Sequence, residues 1–187
     1  MKVKVLMIAL LFVLMAAVPM FLMMQHQPSD ESHPAEQAPS PTDKTSTAVK
    51  TSAALCDSSF NDEAIKAVTI LARTNALTKA STDNNNHSDK ELSKRVKSIY
   101  NSNNEILTFQ NKAVYIPFAK CSKGVTERDD KYAYIVPVAS PWDCESRFYQ
   151  AGTSCQGVSL NGIKYLCDNG SSAEEALKWY LPKLEIG

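Results

Sequence analysis

The residues best placed for chemistry in this chain are two carboxylates. Asp143 and Glu145 flank Cys144 and follow Trp142, and an aromatic wall beside an acid is one way to raise its pKa. Two acids about 5–10 Å apart in a cleft could hydrolyse a glycoside, one donating a proton while the other attacks or activates water. The remaining acidic pairs have simpler explanations. Asp129-Asp130 lies in a polar turn, and Glu174-Glu175 fits the first turn of a helix, where the dipole favours acids. Because acids are usually just solvated, a wall-polysaccharide hydrolase using Asp143 and Glu145 stands here as an alternative expectation.

Composition closes most other catalytic routes. The three histidines are His26 and His33 in a Pro-rich stretch and His87 after a run of asparagines. None is set where a fold would hold an imidazole against a nucleophile, and no histidine cluster suggests a catalytic metal. There is no G-x-x-x-x-G-K phosphate loop, no C-x-x-C pair and no zinc-ligand spacing, so no cofactor or metal is expected. Twenty Lys and Arg are matched by twenty Asp and Glu, which gives no basic field for nucleic acid.

Binding is the better-supported chemistry. Trp142, Arg147, Phe148 and Tyr149 fall within eight residues, and these side-chain types are the ones enriched at interface hot spots. Closed into a rigid loop, they would lose little entropy on association. The competing reading puts Trp142 and Phe148 in a small core, and Trp179 and Tyr180 read as core on the last helix.

The location of this chemistry follows from the N-terminus. Val5–Met24 is a run of uncharged residues long enough to cross a bilayer, behind Lys2 and Lys4. A signal anchor fits it better than a cleaved signal peptide, since no A-x-A cut site follows. The absence of Lys or Arg after the run until Lys44 places residues 25–187 outside the cytoplasm, periplasmic or extracellular, with residues 5–24 as the membrane contact. In such a compartment Cys121, Cys144, Cys155 and Cys167 are expected to form disulfides. Three pairings are open, and Cys144–Cys155 with Cys121–Cys167 is the one favoured here. Cys56 is then unpaired or intermolecular, which admits a disulfide-linked structural subunit as a further alternative.

The elements that must position these residues are read from periodicity. Residues 25–55 contain Pro28, Pro34, Pro39 and Pro41 among Ser, Thr and Ala, with no aromatic residue, and predict a disordered tether. From Cys56 onward the chain predicts one domain. Phe60 to Leu77 recur at helical spacing, with Ser59 or Asn61 as cap, and Ser88-x-x-Glu91 opens a second helix carrying Leu92, Val96 and Tyr100. Ala113–Ala119 and Tyr132–Ala139 predict strands, each interrupted by a proline. Asn161-Gly162 between alternating flanks predicts a hairpin, and Ser172-x-x-Glu175 opens a C-terminal helix.

The sum is an α+β fold: a transmembrane helix over 1–24, a tether over 25–55, and an exported, disulfide-stabilised domain over 56–187 with two helices, an antiparallel sheet and a last helix. An apolar N-terminal run ahead of a β-containing domain resembles type IV pilin-like subunits only in outline. The leader ending in Gly and the Glu at the fifth apolar position are missing, and the proline-rich tether breaks the continuous helix such subunits need, so no family is assigned. The leading functional expectation is a membrane-anchored, non-catalytic binding or assembly component of a cell-envelope or secretion/pilus-type complex, with a protein partner.

Overall fold

Asp62–Leu77 is the central helix of the described residues. In the computed structural model, which describes residues 41–78, 89–150 and 152–187, eleven of the sixteen residues of this helix are buried. A helix apolar on nearly all sides belongs inside a core, with other elements laid around it. Asn61 caps it, accepting from the Ala64 N–H at 2.9 Å. Among the described residues five helices surround and include it: α1 (Pro41–Leu55), α2 (Asp62–Leu77), α3 (Lys90–Ser102), α4 (Leu160–Asp168) and α5 (Ala173–Tyr180). Helices α1, α3, α4 and α5 all pack on α2. The core runs through Ile65, Val68, Ile70 and Leu71 of α2 to Val96, Ile163, Leu177 and Tyr180.

Strands are short. β1 (Leu107–Phe109) pairs antiparallel with β2 (Lys112–Ala113) and with β5 (Glu185–Ile186), so the C-terminus closes a three-stranded sheet in the order β2-β1-β5. The β1–β2 turn is Gln110-Asn111, both at positive φ as a two-residue hairpin with matching twist requires. A separate parallel pair joins β3 (Phe118–Ala119) to β4 (Val158–Ser159).

The backbone of this irregular half is pinned by polar side chains from the end of α2. Asn75 accepts from the Ile116 N–H at 2.8 Å and donates to the Ile116 carbonyl at 2.9 Å. Thr74 Oγ1 accepts from the Leu107 N–H at 2.9 Å. Arg73, buried beneath the Tyr100 ring, donates to the carbonyls of Tyr100 and Glu105 and to Asn103.

Several sequence expectations are corrected. Residues 41–55 are α1 and not tether: Ala48, Thr51, Ser52 and Ala53 are buried, so small side chains pack closely where apolar content alone predicts too little burial. The second helix is capped by Asp89, which accepts from the Glu91 N–H, while Ser88 lies outside the described residues. Tyr132–Ala139 is not a strand. Ile135 N–H turns back to the Tyr132 carbonyl, and Pro137 has no donor to offer a ladder.

Asn161-Gly162 is no hairpin either. Ser159 caps α4 by accepting from the Gly162 N–H, and Gly162 is there for clearance: a Cβ would sit 1.7 Å from Tyr180 Oη. The α+β class stands, with an antiparallel sheet beside a parallel pair. The capping box of Ser172 and Glu175 is formed as expected.

The disulfide expectation is overturned. All five cysteines are free thiols, so neither Cys144–Cys155 nor Cys121–Cys167 exists. Cys56 and Cys167 pack within the main apolar core, Cys121 and Cys155 are buried, and Cys144 is exposed. Cys56 and Cys167 act as small apolar side chains, a common use of the residue, whereas Cys121 Sγ donates to the Ser122 and Asp143 carbonyls. Among the described residues no helix is long and apolar enough to cross a membrane. Val5–Met24, with the transmembrane expectation it carries, and residues 25–40 of the tether lie outside the described residues.

Candidate functional site

Pro141–Glu145 forms a short 3₁₀ turn that turns Asp143 inward and leaves Cys144 and Glu145 at the surface. Asp143 is 0 % exposed. Its Oδ2 accepts from Ser122 N–H at 2.9 Å, Ser122 Oγ at 2.6 Å and Ser140 Oγ at 2.7 Å, and its Oδ1 accepts from Asn161 Nδ2 at 2.8 Å. Four donors from three separate segments thus converge on one carboxylate, which satisfies a buried acid by charge-assisted hydrogen bonds.

The protons of this network have a defined direction. A carboxylate only accepts, so the Ser140 hydroxyl donates to Asp143 and must accept from Tyr180 Oη, 2.6 Å away. Tyr180 Oη in turn accepts from Trp142 Nε1 at 3.1 Å. The chain Trp142 to Tyr180 to Ser140 to Asp143 spends every polar hydrogen inward. Burial, reinforced by the Asp143 charge, pushes the Tyr180 phenol well above its usual range, so it stays a neutral donor.

This arrangement does not do acid–base chemistry. Asp143 has no face open to a substrate, and among the described residues no imidazole accompanies Ser122 or Ser140 to activate either hydroxyl. Burial and the Asp143 charge raise the Cys121 thiol, and Cys155 is pushed up to about 12 by the same causes, which keeps both protonated and poorly nucleophilic. Among the described residues no group of three His, Cys, Asp or Glu could hold a metal ion. The three histidines lie outside the described residues.

The network does carry an aromatic surface. With its indole N–H fixed on Tyr180, Trp142 stacks on Tyr165 of α4 (ring centroids 4.9 Å, planes 11° apart) and meets Trp179 of α5 at 5.7 Å. Trp179 is fixed as well, donating from Nε1 to the Ala139 carbonyl at 2.9 Å. Tyr165 is nevertheless 44 % exposed and Trp179 46 % exposed. Two large rings therefore face solvent on either side of a third, and both indole nitrogens are committed to the protein. Gly162 permits the assembly, because a Cβ there would also lie 2.8 Å from Trp142 Nε1.

The four expected binding residues are divided between two places. Trp142 belongs to this platform. Arg147 and Phe148 lie together, guanidinium over ring at 4.8 Å, on a different cavity, and Tyr149 is exposed beyond them. Two platform residues escape the sequence reading. Tyr165 is lost by reading its segment as a hairpin. Trp179 falls at the flank of the α5 stripe of Ala173, Ala176, Leu177 and Tyr180, a position that helical spacing alone groups with the core. Against known proteins, the chain matches no family model and no curated relative.

Proposed function

We propose that this protein is a non-catalytic binding component that captures a protein partner through the Trp142–Tyr165–Trp179 platform. The run Val5–Met24 is the sequence feature that would deliver the domain across a membrane, and an envelope or secretion-type assembly is the setting in which it works. One observation carries the reading: Tyr165 and Trp179 are substantially exposed although the ring between them is locked by a buried hydrogen-bond network. Rigid, exposed aromatic area costs little ordering entropy on association, and Trp and Tyr are the residues that dominate interface energetics.

The burial of Asp143 also removes support from the hydrolase alternative, because a proton donor must reach its substrate. Free thiols remove support from a disulfide-linked subunit. A photo-crosslinking amino acid at position 165, in cells that make the full chain, tests the proposal. A discrete protein adduct is expected from position 165 and not from the exposed Leu77 at the end of α2. Equal labelling from both positions, or none from 165, would overturn it.

A further inference from the structure

A second site lies apart from the platform. A cavity of about 480 Å³ opens where the end of α1, the connection from α1 to α2, the start of α4 and the segment after the 3₁₀ turn meet. Its size is in the range of small-molecule sites. Leu55, Phe60 and Leu160 give it an apolar wall, with the buried thiol of Cys56 beside them. Burial pushes that thiol up to about 12, with the Asp57 charge adding to the rise, so it contributes a neutral surface.

The opposite wall is cationic. Lys120, Arg147 and Lys164 face the cavity from three different segments, against one acid, Asp57. Lys164 is engaged by Asp168, and Arg147 Nη2 lies 3.3 Å from Asp57 Oδ2. Among the described residues Lys120 has no acidic partner and lies 5.7 Å from the Phe148 ring centroid. Asp57 is thus the protein's own anion at the cavity mouth, half-exposed and under the influence of Arg147 and Lys164. Burial opposes its ionisation, yet its hydrogen bonds from Ser59 and the charges of Arg147 and Lys164 hold the carboxyl below its ordinary range.

We propose that this cavity binds a small amphipathic anion, a single carboxylate or phosphate carrying an apolar tail, with its headgroup on Lys120 and Arg147 and its tail on Leu55, Phe60 and Leu160. The headgroup competes with Asp57 for Arg147. That competition makes the proposal sharp, because removing the protein's own anion must strengthen binding.

The test is calorimetric titration of octanoate and of octyl phosphate into the full chain in phosphatidylcholine nanodiscs, with octanol as the uncharged probe and empty nanodiscs as blank. Saturable binding of one or both anions is expected, with octanol at least about tenfold weaker, and the tighter anion identifies the headgroup. Lys120→Ala should weaken binding about tenfold. Asp57→Asn, which keeps an oxygen for the Ser59 N–H, should tighten it several-fold. Lys97→Ala, on the exposed face of α3, should change nothing. Octanol binding as tightly as the anions, no saturable binding, or an Asp57→Asn variant that binds no tighter would overturn the proposal without touching the aromatic platform.

Discussion

Residues 62–77 and the irregular segment of residues 113–150 and 152–157 are held by different physics. In α2 the backbone satisfies itself, and its buried Ala, Val, Ile and Leu side chains need only shape and apolar character, while Arg73, Thr74 and Asn75 at its end serve the irregular half. In the irregular segment regular ladders are short, and the backbone is satisfied one group at a time by side chains. Asn75 serves Ile116, Thr126 Oγ1 accepts from the Val138 N–H, Tyr134 Oη donates to the Tyr115 carbonyl, and Asp143 gathers Ser122, Ser140 and Asn161. The first region should tolerate conservative change. The second should depend on single polar atoms, and the aromatic platform rests on the second.

The largest effect that separates the two regions is expected at the hub. Asp143→Ala removes the acceptor shared by Ser122, Ser140 and the half-buried Asn161 and should destabilise the fold by about 3–5 kcal/mol in chemical denaturation. Volume loss of one small side chain in α2, such as Val68→Ala, should cost less, about 1–3 kcal/mol. Asn75→Ala comes next, since it strips both the Ile116 N–H and carbonyl of their partners. About 2–4 kcal/mol is expected, read from the same denaturation curves.

Titration should show the comparison in another way. Cys56, Cys155, Cys167 and Tyr134 are each pushed up to about 12 by burial. Unfolded, the thiols ionise near 9.0 and the phenol near 10.0. The folded state therefore holds the extra protons, so their contribution to stability is complete below about pH 9 and is lost as pH rises towards about 12. On the acid side Asp57, Glu127, Glu174 and Glu175 are held below their ordinary ranges, and stability falls as pH drops below those ranges. Thermal midpoints measured across pH should form a plateau between these two falls. The smallest effect belongs to reductant. With no disulfide present, the thermal midpoint should not move on adding dithiothreitol, whereas loss of a structural bridge would cost about 2–5 kcal/mol.

The same contrast explains what the sequence makes legible. Helices α2, α3 and α5 announce themselves by period and by caps at Asn61 and Ser172, because those signals are local. α1 is not legible, since Ala, Ser and Thr score as linker until a neighbouring helix covers them. Gly162 after Asn161 imitates a turn, and only the distant Tyr180 explains it. The region of the site is legible in Trp142, but its partners Tyr165 and Trp179 arrive from other elements through contacts that no local spacing encodes. Cysteine number, read with compartment, suggests bridges. Geometry decides otherwise: Cys56 and Cys167 are packed into the apolar core, Cys121 and Cys155 are buried as free thiols, and Cys144 is exposed.

The central claim is that the exposed rings recognise a partner while the network beneath them only holds them in place. Trp179→Ala, measured for thermal midpoint and for crosslink yield from position 165 in the same preparation, tests it most directly. The account predicts a midpoint within a few degrees of the native chain and loss of most of the adduct. An undiminished adduct at an unchanged midpoint would contradict it.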